Sequence, residues 1–378
     1  MTAAPESRAT VARVVGFSAI VPLALLVAPL LTTQLIAERG LTPAEAGAYF
    51  LFELGGISLA SLPALWWSRH YPARAIAITA VAVYALGNFG AIVAASVAAL
   101  FAARLVAALA GGALMILCMQ TAAASPRRER LFGYWISGQL VLGALGLWFL
   151  PALFARFGLG AFYGALAAMM VALLPLAWHF PSPPVPAARD RAQGNWRLAV
   201  AGMAAVLAFY IGLGGAWAFM ALLAERAGIA TDAVSRKLAI ASLVGIAGAF
   251  SATALGGRGA RRGALIAGCG LMIAALLLLL GNPPLGRFAV AAYAFKFAWT
   301  FALPFILATI AAHDRHGGGM AAINLVIGTG TSIGPLIAGQ ILGHHGFAVL
   351  LCFSAALIAV ALLLLALIET GRLSETDR

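Results

Sequence analysis

Apolar runs of about 20 residues, each ended by a short cluster of polar and turn-forming residues, recur along the whole chain. A run of that length crosses a hydrocarbon core of roughly 30 Å as a helix. The pattern predicts spans over 13–37, 43–67, 74–95, 98–122, 131–154, 159–179, 196–223, 232–255, 263–281, 286–311, 318–342 and 347–368. The period-two alternation of a barrel is absent, so backbone groups in lipid find their partners within helices. The prediction is an all-α polytopic membrane protein of twelve transmembrane helices. Residues 271–280 in the ninth span and 361–366 in the twelfth have no polar stripe, which suits a lipid-facing periphery. The third span is less clean, because it carries Tyr84 and Asn88.

Composition agrees with this reading and changes the meaning of the charge. Of 378 residues, 63% are hydrophobic and 10% are charged, too few charges to cover a water-soluble surface. The net charge of +12 comes from 24 basic residues, of which Lys237 and Lys296 are lysines and the rest arginines. They gather in alternate loops. With the N-terminus inside, sixteen fall on the cytoplasmic side, Arg69, Arg74, Arg258 and Arg315 among them, and six fall outside. This is the positive-inside signal of a cell inner-membrane protein with both termini cytoplasmic, not a nucleic-acid patch. Cys118, Cys269 and Cys352 lie inside apolar runs and imply no disulfide framework.

The chain repeats itself. Leu35-Ile36-Ala37-Glu38-Arg39-Gly40-Leu41 returns as Leu222-Leu223-Ala224-Glu225-Arg226-Ala227-Gly228-Ile229, each copy joining the first and second helix of a half. Between the halves, Pro181-Ser182-Pro183-Pro184-Val185-Pro186 is unable to join a helix. The expected organisation is a six-helix bundle over 1–180, a cytoplasmic linker over 181–195 and a second six-helix bundle over 196–378.

Once the loop charges are set aside, Glu53, Arg104 and Lys296 remain deep in the membrane, each at a cost of roughly 2.5–3.5 kcal/mol. Thr42-Pro43-Ala44-Glu45 reads as a capping box, so Glu53 stands ten residues, about 15 Å, into its helix. Helix 10 begins after Asn282-Pro283-Pro284, which puts Lys296 at a similar depth. Glu53 and Arg104 read either as a staple between helices 2 and 4 or as working groups. Lys296 has no acid in its own bundle core. Tyr293, Lys296, Trp299 and Thr300 share one helical face, as do Tyr210, Gly214 and Trp217, either as a binding surface or as an aromatic packing stripe. A cation flanked by aromatic rings suits a small carboxylate with an apolar or flat body. Gln34, Gln120, Gln139, Asn324 and Gln340 are further polar groups for a cavity.

These features resemble the major facilitator superfamily over essentially the whole chain. Leu255-Gly256-Gly257-Arg258-Gly259-Ala260-Arg261-Arg262 is similar to the family's loop signature G-x-L-a-D-R-x-G-R-R, with Gly257 where the acid stands. Trp67-Ser68-Arg69-His70-Tyr71-Pro72-Ala73-Arg74, half a chain earlier, keeps Arg69 and also lacks the acid. Leu100-Phe101-Ala102-Ala103-Arg104 followed by Gly111-Gly112 is similar to a helix 4 motif in which an intramembrane Arg assists proton coupling. Ala107 and Ala108 replace that motif's Gln and first Gly. Gly328, Gly330, Gly334, Pro335 and Gly339 resemble the family's flexible gating helix. The resemblance implies two pseudo-symmetric six-helix bundles that rock around a central site. It also implies that Arg69 and Arg258 brace the loops while Gly334 and Pro335 bend.

The function expected from this is secondary active transport of a small organic anion by a monomer, coupled to protons and without a cofactor. Arg104 and Lys296 would hold the substrate, with Tyr293, Trp299, Tyr210, Trp217, Gln139 and Asn324 around it, and Glu53 would carry or gate the proton. The alternative is a proton-coupled efflux antiporter for amphipathic drugs or metabolites. An enzyme is not expected: there is no HExxH helix, and the histidines sit at helix ends, where His313-Asp314-Arg315-His316 reads as a solvated loop rather than a metal site. No phosphate-binding Gly-Lys motif is present, so ATP is not the energy source.

Overall fold

The computed structural model of the chain describes residues 7–180, 196–256, 261–313 and 318–370. Arg258 with its Gly257, and the 181–195 segment, lie outside the described residues. The first predicted span is built from three helices, α1 (Arg8–Ile20), α2 (Leu23–Leu26) and α3 (Ala28–Arg39), and the second from α4 (Pro43–Leu59) and α5 (Ser61–His70). Next come α6 (Ala73–Val93), α7 (Val97–Ala123), α8 (Arg128–Phe157), and α9 (Gly160–Ala172) with α10 (Leu174–Ala177). The second half begins with α11 (Trp196–Ala218) and α12 (Met220–Arg226). It continues through α13 (Thr231–Ala254), α14 (Arg261–Leu278), α15 (Leu285–His313), α16 (Gly318–His344) and α17 (Phe347–Glu369). These helices form the twelve spans that the hydropathy predicts, and among the described residues nine helices are by themselves long and apolar enough to cross a membrane.

Three of the four interrupted spans break beside a proline. Proline has no N–H for the carbonyl four residues back. Pro63 frees Leu59, the last residue of α4, and Pro175 frees Val171 near the end of α9. No proline marks the fourth break, at Phe219. Pro22 frees the carbonyl of Ser18, and there the fold supplies a substitute: Gln139 on α8 donates its Nε2 to that oxygen at 2.9 Å. Gln139→Leu should therefore lower stability by about 1–3 kcal/mol, the cost of an unmet buried carbonyl. Thermal unfolding in detergent reads this directly, and an unchanged midpoint would show that the contact is idle.

Capping chemistry fixes two helix starts that matter below. Glu45 accepts from the Thr42 N–H at 2.8 Å, and Thr42 Oγ1 accepts from the Glu45 N–H at 3.2 Å. This is the capping box read from the sequence, and α4 begins at Pro43 as expected. Ser96 caps α7 by accepting from Ala99 N–H at 3.2 Å.

The chain groups into two compact units. One runs over Met1–Val27 and Tyr49–Ala187, the other over Ala28–Ala48 and Ala188–Arg378. In the first, α6 packs on α7 and α9, and α1 packs on α8 and α7. In the second, α15 lies against α13 and α14, while α11 lies against α16 and α17. The second unit also contains α3, which packs on α12, so the two copies of the Glu-Arg repeat are neighbours. Lipid-facing side chains are where the apolar helices place them: Leu363 on α17, and Leu86 and Phe89 on α6, are all exposed. Tyr84 and Asn88 occupy the opposite, buried face of α6.

Candidate functional site

Glu53, Arg104 and Lys296 are all buried, at 1%, 0% and 1% exposure. Their surroundings differ in kind. Small residues bring α4, α6 and α7 together around Arg104: a Cβ on Gly87 would meet Ala107 N at 2.8 Å, and one on Gly56 would meet the Ala108 Cβ at 2.7 Å. At that separation the Arg104 guanidinium reaches both neighbouring helices. Its Nε donates to Glu53 Oε2 at 2.7 Å, its Nη2 to Glu53 Oε1 at 2.8 Å and its Nη1 to Asn88 Oδ1 at 2.7 Å. The Tyr163 ring lies beneath it, 5.0 Å from Cζ to centroid, and Tyr163 donates its hydroxyl to Tyr49 at 3.4 Å.

This is a bidentate, charge-assisted pair, the strongest hydrogen-bonding geometry open to a carboxylate. Both Glu53 oxygens and all three guanidinium nitrogens are engaged. The pair joins α4 to α7, and through Asn88 the same guanidinium reaches a third helix, α6. Asn88 is itself fixed by donating Nδ2 to its own helix at Tyr84 O, 2.8 Å away. Asn88, Tyr163 and Tyr49 were not singled out by sequence reasoning as partners of this pair. An amide in the middle of an otherwise lipid-facing helix is the signal that pointed to Asn88.

Lys296 is the twelfth residue of α15, about 16 Å from its start. Its Nζ sits 4.1 Å from the Trp217 ring centroid and 3.9 Å from that of Trp299. The two indoles meet edge to face at 6.1 Å. Phe295 backs Trp217 in a parallel stack, 6.2 Å apart and 7° from coplanar, and the Tyr210 hydroxyl lies near the Trp299 indole. A desolvated cation–π contact contributes about 2 kcal/mol, so two indoles offset most of the roughly 2.5–3.5 kcal/mol that a mid-membrane ammonium costs. What they do not supply is a counter-charge. Among the described residues no carboxylate forms an ion pair with Lys296.

The structure thus gathers Tyr210, Trp217, Lys296 and Trp299 into one buried cluster, with α11 supplying two of them and α15 the other two. Other candidates go elsewhere. Tyr293 is half-buried, and Thr300 is taken up in packing, donating to Gly245 O of α13 at 2.6 Å. Gln139 holds the Ser18 carbonyl, and Asn324 is exposed. Asn324 stands six residues, about 9 Å, along α16 from Gly330, which packs on Tyr210. Arg69 is exposed in the last turn of α5, where its charge suits the helix dipole. Gly334 lets α16 approach α11, where a Cβ would meet Ile211 O at 2.6 Å, and the carbonyl of the adjoining Pro335 presses on Gly47 of α4.

Comparison with known proteins gives the family and the fold. The family model described as Major Facilitator Superfamily matches residues 14–313. Among solved structures, the POT family transporter PepTSo superposes with a TM-score of 0.74 at 12% identity, over 98% of this chain and 99% of that one. The human organic anion transporter MFSD10 (TETRAN) superposes with a TM-score of 0.68 at 16% identity, over 96% of this chain and all of the other. At these identities the likeness is one of fold. No curated protein sequence matches the chain.

Proposed function

The chain belongs to the major facilitator superfamily, and from that premise we propose that it is a proton-coupled secondary transporter of a small organic anion. In this reading it lies in the inner membrane as a monomer with both termini cytoplasmic, uses no cofactor, and moves its substrate by alternating access. The observation that carries the proposal is the Lys296 amino group, buried between two indoles with no carboxylate paired to it among the described residues. A buried cation lacking a counter-ion favours a ligand that brings one. The neighbouring rings favour a ligand whose body is flat and apolar. Because the cluster offers one cation, the preferred charge is a single carboxylate.

The Glu53–Arg104 pair serves here as a brace between α4 and α7. Its donors and acceptors satisfy one another, leaving little with which to bind substrate. The second reading, efflux of amphipathic cations, has one observation in its favour: two indole faces at right angles also suit an alkylammonium. Lys296 occupies those faces and would repel such a ligand.

A pair of isosteric probes separates the readings. Benzoate is expected to raise the unfolding temperature of the purified transporter, and benzylamine is not. Stabilisation by benzylamine alone would reverse the assignment.

A further inference from the structure

We propose that Lys296 is also the proton carrier: it is an ammonium while a substrate carboxylate is bound and a neutral amine when the site is empty. This rests on the anion reading above and adds the identity of the coupling group. The sequence points instead to Glu53, the acid buried in the membrane. The geometry turns the choice round through charge balance.

Consider first what protonation does to each group. A proton on Glu53 would leave Arg104 as a lone buried guanidinium, a group that does not give up its own proton. One buried charge would be traded for another. A proton leaving Lys296 leaves no charge behind, because no carboxylate among the described residues is paired with it. With the carboxylate bound, ammonium and anion again sum to zero. The empty and the loaded cluster are then both neutral, and each crosses the membrane interior without an unpaired charge.

The helices packed against α15 are α13, α14, α11, α16 and α17. Thr300 bonds Gly245, so α13 and α15 run side by side with Lys296 near the level of residue 241. Asp232, the acid of α13, is nine residues further along, about 13 Å away, with Arg236 and Lys237 between. Glu369 of α17 accepts from Thr309, thirteen residues beyond Lys296 and so about 20 Å away, and is paired with Arg261 of α14, next to Arg262. On α16 the charged group is His344, in the last turn, and α15 itself carries Arg287 in its first turn. The titratable groups left near the middle are weak acids: Tyr210 on α11, Tyr293 on α15 and the thiol of Cys269 on α14. None is a carboxylate that could hold the proton in place of Lys296 or fix its charge.

The indoles complete the device. They tolerate an ammonium while the carboxylate arrives or departs, yet accept no proton and supply no counter-ion. The proton enters with the anion and leaves with it, one for one.

The test is proton uptake on binding. Wild-type protein in weakly buffered detergent with a pH-indicator dye, titrated with benzoate between about pH 6 and pH 9, should take up close to one proton per anion in the upper part of that window. Over the same range benzoate affinity should fall about tenfold per pH unit. Lys296→Arg, which stays charged throughout, should bind benzoate with less than a twofold change across the window and take up no proton. Glu53→Gln, which keeps an acceptor for Arg104, should lose some folding stability but take up the same proton per anion as the wild type. Proton uptake that persists in Lys296→Arg, or disappears in Glu53→Gln, would overturn the assignment. So would benzoate binding by the wild type with no uptake at any pH, while leaving the anion reading intact. Binding of benzylamine and not benzoate would remove the anion reading and this inference together. Should Lys296→Arg fail to fold, the wild type and Glu53→Gln decide between the two carriers by themselves.

Discussion

Arg104→Ala is expected to cost about 3–5 kcal/mol of folding stability, the largest single loss foreseen for this protein. The reason lies less in what the pair gains than in what its rupture leaves behind. The favourable Coulomb term in Glu53–Arg104 is mostly cancelled by desolvation of two fully buried groups. Removing Arg104 strands Glu53 and also unmakes the Asn88 contact that ties α6 to the same guanidinium. Replacing both partners, as Glu53→Gln with Arg104→Met, should therefore cost less than Arg104→Ala alone. Unfolding midpoints of Glu53→Gln, Arg104→Met and the double variant test this as a thermodynamic cycle. If the losses simply add, the pair is not coupled and the brace between α4 and α7 is not its role.

Lys296→Ala should have the opposite profile: little or no loss of stability and a large loss of binding. Stability is spared because the substitution removes a buried polar amino group that has no ionic partner among the described residues. Binding suffers because a charge-assisted contact contributes about 1.5–3 kcal/mol, which corresponds to roughly 10- to 150-fold in benzoate affinity. Thermal unfolding and isothermal binding on the same preparation separate the two quantities. A variant that folds and binds benzoate like the wild type would leave the anion reading without its main support. A variant that fails to fold would make Lys296 a packing residue of α15.

Much of this architecture is legible in the sequence because the bilayer enforces it. Twelve apolar runs give the spans, and the Thr42–Glu45 box fixes the start of the helix that carries Glu53. Helical spacing alone puts Trp299 beside Lys296 on α15 and puts Tyr210 and Trp217 on one face of α11. What the sequence does not carry is which helices are neighbours. Asn88 and Tyr163 become partners of Arg104 only when α6 and α9 pack near α7, and no periodicity announces that. Gln139 shows the same limit from the other side. Its polarity reads as a cavity group, yet in the fold it serves a carbonyl freed by Pro22, on a helix more than a hundred residues away. The interruptions at Pro22, Pro63 and Pro175 are visible as residues, but a hydropathy pattern runs straight through them. At Phe219 there is no proline to read at all.

The central claim, proton-driven movement of an organic anion, is tested most directly by flux. Hippurate is a suitable probe, a flat-ringed monocarboxylate too polar to cross lipid quickly. In proteoliposomes holding the purified transporter, an imposed pH gradient, acid outside, should drive hippurate inward to a concentration above that of the medium. The membrane potential is clamped at zero throughout, and protein-free vesicles set the baseline. Collapse of the gradient should release the excess. Uptake that only equilibrates across the membrane, or that is no faster than in protein-free vesicles whatever the gradient, would contradict the account.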